Sequence, residues 1–214
     1  MRRQNRIPFP MSAQNSIELA GRIVSAPVFV YRQGMRGVYE ISLAVTRLSG
    51  ARDILPIYIW DEMLLPFVCP ESRVLVRGEL RSYSRVQGDA GGCQGGRSKL
   101  ILYAQAFRIC PTEGEDANNA ALWGQIARAP IHRRTPFGRE ICDVMLSVRR
   151  NAYKNEFLPV IVWGPLSRHV SRMCVGDSLR LCGRFQSREY EKQLPNGTVD
   201  LRTAYELSCT RVFT

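Results

Sequence analysis

The sequence predicts an all-β protein built from one domain written twice: two tandem five-stranded Greek-key barrels, each with a short helix between strands 3 and 4. The first observation is a near-repetition, since residues 54–60 read ILPIYIW and residues 157–163 read FLPVIVW. The same offset of 103 residues relates Gly21 to Gly124 and Arg47 to Arg150. The second observation is that apolar residues alternate along both runs, which places successive side chains on opposite faces of a strand. A chain of 214 residues with this repeat fits two small domains.

Alternation, turn residues and glycines locate five strands in each copy. Gly21 and Gly124 lie inside the first strands, where a glycine usually marks a bulge or a sharp bend. Pro27 and Pro130 then break the pairing of those strands. The predicted strands are 16–24, 38–47, 54–60, 73–80 and 98–109 in the first copy, and 121–126, 140–150, 157–163, 178–185 and 201–213 in the second.

A short helix is predicted after each third strand. In the second copy Pro165 suits the first helical position, Val170 and Met173 share one face, and Gly176 lies just past the end. The counterpart at residues 62–69 is poorer because a proline interrupts it. Three strands, a helix and two more strands, with bends at glycine, are typical of a Greek-key barrel of the OB type. A small open sandwich is the competing fold.

Composition divides the chain into segments. These are a flexible basic arm at residues 1–14, a diverged first domain at 15–110, an acidic linker at 111–118 and a second domain at 119–214. Residues 195–197 (PNG) predict a tight hairpin turn between the last two strands. The glycine-rich residues 88–96 occupy the equivalent place in the first copy, and residues 91–98 nearly match a phosphate-binding loop with arginine in place of lysine. A strand rather than a helix follows them, so we interpret them as a mobile hairpin loop.

The basic residues indicate a polyanionic partner. The formal net charge is +11, and 27 of the 30 basic residues are arginine, because the only lysines are Lys99, Lys154 and Lys192. Arginine makes bidentate phosphate contacts and lies flat on rings. The composition therefore favours nucleic acid over a merely solvated basic surface.

Cysteine usage and hydropathy indicate the cytoplasm. None of the seven cysteines forms a Cys-x-x-Cys pair, and an odd number without a secretion signal predicts reduced thiols. The N-terminal residues lack the apolar run of a signal peptide. No stretch is long and apolar enough to span a bilayer, so no membrane partner is predicted.

Alternation also predicts an aromatic and basic face on each copy. The core positions of the fourth strands are Val74, Val76, Leu80, Leu179, Leu181 and Phe185. The opposite parity holds Arg77, Arg81, Tyr83, Arg85, Arg184, Gln186, Arg188 and Tyr190, and on the third strands Tyr58, Trp60, Phe157, Ile161 and Trp163. Bases stack on aromatic rings while arginines follow the phosphates, which binds single strands without reading their sequence. The alternative is that both tryptophans complete a core or a subunit interface, which would make the chain an interaction module.

No catalytic constellation is visible in the sequence. His132 and His169 are the only histidines and lie near no cysteine cluster or pair of carboxylates, so we predict neither a metal nor another cofactor. The chain is therefore predicted not to be an enzyme. A metal-dependent nuclease is the contrasting hypothesis.

Several strings of the second copy belong to a known pattern. They are Gly124, Pro130, VRR at 148–150, PVIVWG at 159–164, GD at 176–177, GRFQSREY at 183–190 and RTAYE at 202–206. With these residues the second copy resembles bacterial single-stranded DNA-binding proteins, and the first copy resembles a diverged version. The resemblance implies base stacking by Phe157, Trp163 and Tyr190, with Tyr153 near a fourth stacking position. The first copy retains Trp60, whereas Ile54 and Arg85 stand where Phe157 and Tyr190 do.

The predicted function is sequence-independent binding of single-stranded DNA in replication, repair or recombination, in the bacterial cytoplasm at the nucleoid. A primosome-accessory protein of the OB type is the alternative. The predicted DNA contacts are Arg150, Tyr153, Phe157, Trp163, Arg184, Arg188, Tyr190 and Lys192 in the second copy, and Arg47, Tyr58, Trp60, Arg77, Arg81, Tyr83 and Arg85 in the first.

The resemblance also implies an assembly. The family typically brings four barrels together, so a homodimer of this chain would suffice. The acidic C-terminal peptide by which the family recruits replication and repair enzymes has no counterpart before Thr214. Recruitment of such partners by that route is therefore in doubt.

Overall fold

The computed structural model describes residues 14–86, 98–193 and 197–213. In the first half the strands are β1 (Asn15–Ile23), β2 (Val28–Gln33), β3 (Arg36–Thr46), β4 (Arg52–Ile59), β5 (Arg73–Val86) and β6 (Ser98–Pro111). In the second half they are β7 (Ala117–Ile126), β8 (Ile131–Arg134), β9 (Glu140–Arg149), β10 (Asn155–Trp163), β11 (Ser178–Gln193) and β12 (Val199–Phe213). A 3-10 helix (Glu62–Phe67) follows β4, and α1 (Pro165–Val170) follows β10. The predicted all-β class is confirmed.

The two halves repeat one pattern of strand pairing. In the first half β1 pairs with β3, β3 with β4, β4 in parallel with β6, β6 with β5, and β5 with β1. In the second half β7, β9, β10, β12 and β11 pair in the same order, again with one parallel pair. Antiparallel pairing of β1 with β7 joins the halves into one twelve-stranded sheet of the described residues. The fold is therefore continuous across the repeat rather than two separate sheets.

Two strands were absent from the sequence prediction. β2 and β8 begin just after Pro27 and Pro130, which were interpreted as ends of pairing, and each forms a hairpin with the next strand. All their residues are exposed, and they form the two edges of the sheet. Edge strands without a buried face lack the burial alternation from which the other strands were predicted.

The predicted linker is shorter in the structure. β6 ends at Pro111 and β7 begins at Ala117, so residues 117 and 118 pair with β1 instead of linking the domains. Asp116, within the remaining segment, accepts hydrogen bonds from the Thr46 backbone N–H at 2.7 Å and from Arg73 Nη2 at 2.8 Å. The acidic character of this segment thus serves its attachment to the first half.

The predicted core positions of β5 and β11 are buried. Val74, Val76 and Leu80, and their counterparts Leu179, Leu181 and Phe185, are at most 1 % exposed. The helices also agree with the sequence. Pro165 starts α1, and the segment with the internal proline forms a 3-10 helix instead of an α-helix.

Glycines allow β1 and β7 to bend between two partners. β1 pairs with β5 from Ile17 to Arg22 and also reaches β3 through Arg22 and Ile23. A Cβ at Gly21 would run into the carbonyl oxygen of Ala44, and one at Gly124 would run into that of Ser147. The bend predicted from these glycines is therefore a close approach between two backbones.

Glycines also accompany the irregularities of β5 and β11. The register against the last strand of each half shifts between Arg77 and Gly78 and between Cys182 and Gly183. A Cβ at Gly78 or Gly183 would clash with the backbone of that neighbouring strand. These bulges redirect the long strands, so residues on either side of them face different surroundings.

Substitution of Gly21 or Gly124 by alanine should destabilise the fold, because the added Cβ overlaps a carbonyl oxygen of a strand that cannot move freely. We expect each change to lower the free energy of unfolding by about 1–3 kcal/mol in a denaturant titration. Gly114→Ala is the matched control, since its Cβ would meet nothing closer than Thr112 Oγ1 at 3.3 Å. Equal stability of all three variants would contradict the close approach.

Candidate nucleic-acid interface

One face of the second half collects exposed aromatic rings. Tyr153, in the turn before β10, is 99 % exposed, and Phe157 on β10 is 48 % exposed. Trp163, at the end of β10, is partly buried, and its Nε1 donates a hydrogen bond to Ser208 Oγ at 3.0 Å. This bond holds the indole against β12. The rings therefore follow the length of β10.

The arginine-bearing strand continues this face. In the sheet register Ile161 lies beside Ser208, and Ser208 lies beside Arg184, so β10, β12 and β11 share one outer row. We call the surface formed by Tyr153, Phe157, Trp163, Arg184, Arg188 and Tyr190 the outer face. The continuity from the third to the fourth predicted strand, on which the sequence argument depended, is present in the second half.

Arg188 and Tyr190 form the basic end of the outer face. Arg188 is exposed, and its Cζ lies 5.5 Å from the centre of the Tyr190 ring. Its Nε is 3.7 Å from a carboxylate oxygen of Glu206, which is buried and accepts a hydrogen bond from Gln186 at 3.0 Å. The long contact with Glu206 leaves the guanidinium open to an anion. Lys192, further along β11, is partly buried.

The equivalent face of the first half is filled by its own tyrosines. Tyr58 is 4 % exposed, its ring centre lies 4.3 Å from that of Tyr103, and its hydroxyl is 3.4 Å from that of Tyr83. Burial raises the pKa of Tyr103 to about 12. Burial and the hydrogen bond with Tyr83 also raise the pKa of Tyr58. Both hydroxyls stay protonated, and of the three rings Tyr83, at 37 % exposure, remains the most open.

The polar partners of this first face also differ from those of the second. Arg81 is 6 % exposed, donates to Gln105 Oε1 at 3.1 Å and pairs with Glu79. Gln105 occupies the place of Ser208 in the register, but its Oε1 accepts a hydrogen bond from Arg81 and not from Trp60. The Trp60 Nε1 is buried and has no partner among the described residues. Arg81 was predicted to be an outward DNA contact, but the structure buries it because of these two partners.

Neither Arg77 nor Arg85 is found beside Tyr83 among the side chains that the structure describes. Arg77 is exposed, but it pairs with Glu18 of β1 at 2.8 Å, on the other side of the Gly78 bulge. The Arg85 side chain lies outside the described residues. The first half therefore offers fewer of the predicted contacts than the second.

Arg47 and Arg150 lie at the contact between the halves. Arg47 pairs with Asp53 at 2.5 Å, and Arg150 pairs with Glu156 at 2.9 Å. Both carboxylates are 2 % exposed. A phosphate would have to compete with them for either guanidinium.

Each carboxylate also reaches the opposite half. Asp53 accepts a hydrogen bond from the Ser187 backbone N–H at 2.9 Å, and Glu156 accepts one from the Ser82 backbone N–H at 3.0 Å. Arg47 Nη2 adds a hydrogen bond to the Ser187 carbonyl oxygen at 3.0 Å. The two contacts are reciprocal, because Asp53 and Glu156 occupy equivalent positions of the repeat.

Residues of β6 and β12 complete the two faces but were not predicted from the sequence. Tyr103 packs on Tyr58, and Ser208 orients Trp163. Alternation along these last strands carries the signal, since both residues share the parity of the neighbouring outward positions.

The described residues contain no group of three histidine, cysteine, aspartate or glutamate side chains that could hold a metal ion. Within the same residues, none of the helices has the length and apolar character needed to cross a membrane.

The strand pairing and the outer face together indicate the class of protein to which the second half is similar. Five paired strands with one parallel pair and a helix after the third long strand are consistent with the OB fold, and aromatic rings beside arginines are typical of OB proteins that bind single-stranded nucleic acid. Residues 117–212 match the model of the single-strand binding protein family. The match covers the second half of the chain and confirms the resemblance noted in the sequence. The prediction that the chain is not an enzyme is confirmed by this match.

Solved structures resemble the chain over most of its length. The wild-type single-stranded DNA-binding protein from Thermus aquaticus has a TM-score of 0.70 at 23% identity, covering 93% of this chain and 91% of that chain. A deletion mutant of the same Thermus aquaticus protein has a TM-score of 0.68 at 23% identity and covers 93% of both chains. At this identity the likeness establishes the fold.

The remaining comparisons add no functional argument. The N-terminal domain of PriB from Thermoanaerobacter tencongensis is 27% identical and covers 48% of this chain and 100% of that chain, but its TM-score is 0.39. That likeness is too weak to support the primosome-accessory alternative. A comparison with curated proteins gives no match.

Neutral replacements of the buried carboxylates should weaken the contact between the halves. Asp53→Asn or Glu156→Gln leaves a partly buried arginine without its counter-ion and perturbs the hydrogen bond from the backbone N–H of the opposite serine. We expect each to lower the free energy of unfolding by about 1–3 kcal/mol, measured by denaturant titration. Glu71→Gln is the matched control, because its side chain is 75% exposed and lies 3.6 Å from Arg22, and its effect should stay within about 0.5 kcal/mol. If the buried and exposed variants behave alike, the reciprocal contacts do not stabilise the fold.

Proposed function

We propose that the chain binds single-stranded DNA without sequence preference, chiefly through the outer face of the second half. The observation on which this depends is the row of exposed rings at Tyr153 and Phe157, continuous with Trp163 and with Arg188, in a domain of the single-strand binding protein family. Every base has a face that stacks on a ring, so such a surface accepts any sequence. The relatives from Thermus aquaticus are described as single-stranded DNA-binding proteins, which favours DNA as the strand.

The phosphates of the strand are the second part of the proposal. Arg188 is exposed, and its nearest carboxylate among the described residues is 3.7 Å away, so its guanidinium can approach a phosphate without first losing a strong ion pair. Arg184 and Lys192 belong to the same strand and parity and would extend the basic track along β11. The net charge of +11 adds long-range attraction for the polyanion.

We further propose a division of labour between two OB barrels, one formed by each set of five paired strands. The second barrel would stack bases. The first would contribute less stacking, because Tyr58 is covered by its neighbours and Tyr83 is the most open of the three clustered rings. Its role would then be to assemble with the second barrel and to extend the charged surface.

The proposed biological setting follows from the family. A homodimer of this chain would bring four barrels together, in DNA replication, repair or recombination at the bacterial nucleoid. The interaction-module hypothesis, in which the aromatic rings serve only an interface, is the alternative that a binding experiment must eliminate.

Two substitutions should separate stacking from phosphate contact. Phe157→Ala removes a half-exposed ring with little effect on the core and should weaken binding by about 1–3 kcal/mol while leaving the salt dependence unchanged. Arg188→Ala should reduce the slope of log affinity against log salt by about 0.7, the value for one phosphate on a single strand. Both are measured by fluorescence anisotropy of labelled oligo-dT at several salt concentrations.

The control is Arg172→Ala, an exposed arginine after α1 that lies outside the outer face. It removes the same charge and should change the slope less than Arg188→Ala does. Wild-type affinity in both test variants would show that the outer face is not the binding surface. Absence of binding by the wild-type protein at low salt would favour the interaction module, and tighter binding of oligo-U than of oligo-dT would redirect the proposal to RNA.

A further inference from the structure

A pocket of about 460 Å³ lies beside the outer face, where β7 meets residue Gln14, the end of β9 and the starts of β10 and β11. This volume is within the range of about 300–1,000 Å³ for small-molecule sites. The residues whose chemistry matters most for a ligand are Gln14, Trp123, Gln125, Arg149, Asn155 and Ser178. None of them was predicted to contact DNA.

Trp123 is an exposed aromatic wall of this pocket. It is 38 % exposed, and the Cζ of Arg180, its cross-strand neighbour on β11, lies 4.9 Å from the centre of its ring. A guanidinium at this distance is attracted by the ring and helps to fix its orientation. A ring held in this way can stack a planar ligand with little loss of conformational entropy.

The rest of the lining is polar and its charge is positive. Arg149 is exposed, its Nε contacts the Asn151 carbonyl oxygen at 3.4 Å, and it has no carboxylate partner among the described residues. The amides of Gln125 and Asn155 offer donors and acceptors, and no described lining residue is acidic. An aromatic wall, amide groups and an unpaired guanidinium match a base, its polar edge and a phosphate.

We propose that this pocket binds one nucleotide, with the base stacked on Trp123 and the phosphate at Arg149. The proposal rests on the function proposed above, because the pocket continues the outer face. Phe157 is the cross-strand neighbour of Ser147, and Ser147 also lines the pocket. A DNA strand whose base stacks on Phe157 can therefore continue into the adjacent pocket. The same chemistry would suit a free nucleotide, so the two sources must be tested separately.

The ring and the two guanidiniums that give the pocket its chemistry belong to the second half and have no equivalents in the first. The positions equivalent to Trp123, Arg149 and Arg180 hold Ala20, Thr46 and Leu75 in the first half. Ala20 and Leu75 are cross-strand neighbours just as Trp123 and Arg180 are, so the backbone geometry is repeated but the ring and both charges are not. The first half therefore cannot form an equivalent nucleotide site.

Fluorine NMR of protein labelled with 5-fluorotryptophan tests the inference, since the three tryptophans give separate signals that single Trp→Phe variants assign. Oligo-dT should shift the signals of Trp123 and Trp163. If it shifts that of Trp163 but not that of Trp123, and thymidine monophosphate shifts neither, the pocket is not a nucleotide site although the outer face binds DNA. If oligo-dT shifts no signal, the proposed function fails as well.

Thymidine monophosphate distinguishes the sources of the nucleotide. A shift of the Trp123 signal with oligo-dT supports a nucleotide of the bound strand, and a shift with the monophosphate alone supports a free nucleotide. In either case Arg149→Gln should reduce the effect, whereas Arg172→Gln, remote from the lining, should not. An equal loss in both arginine variants would overturn the assignment of the phosphate to Arg149.

Affinity gives an independent measurement. Trp123→Ala should weaken binding of oligo-dT by about 5- to 150-fold, the loss expected for one stacked base. Light scattering must show the same molar mass for wild type and variant. Full affinity in the variant would contradict stacking of the bound strand at this ring, and a changed mass would assign Trp123 to assembly and overturn the proposal.

Discussion

The antiparallel pairing of β1 with β7 is the interaction on which the arrangement of the two halves depends. It joins residues from Asn15 opposite Leu122 to Ala20 opposite Ala117, so each first strand covers an edge that the other would expose. With this register fixed, Asp53 meets the backbone of Ser187 and the equivalent carboxylate meets the backbone of Ser82. One backbone pairing thus brings both reciprocal contacts into place, and the continuous sheet follows from it.

The repeat preserves the backbone more strictly than it preserves surface chemistry. Glycines at the bends and bulges recur in both halves because a Cβ at each would meet a neighbouring carbonyl oxygen. The outward-facing positions tolerate different side chains, because a substitution at the surface changes the stability of the fold little. Tyr58 stands where Ile161 does, and Gln105 where Ser208 does. The first half therefore covers its face with tyrosines, whereas the second keeps Phe157 half exposed.

The fold was more predictable than the site, for physical reasons visible in particular residues. Val76 and Leu181 are buried as predicted because alternation reports directly on which face of a strand meets the core. The edge strands β2 and β8 have no buried face, so they lack the alternation of buried and exposed positions from which the other strands were predicted. Arg81 shares the parity of Tyr83 yet is buried, because Glu79 neutralises its charge and Gln105 accepts a hydrogen bond from it.

The sequence by itself determined the all-β class, the repeat, the core positions and the resemblance of the second half, because alternation, glycine placement and short strings are local properties. Only the tertiary structure decided which arginines have counter-ions and which rings are exposed. Those properties depend on side chains distant in sequence, such as Arg47 beside Ser187 and Trp163 against Ser208. The pocket beside Trp123 also depends on the tertiary structure, because it forms only where strands that are distant in the sequence meet.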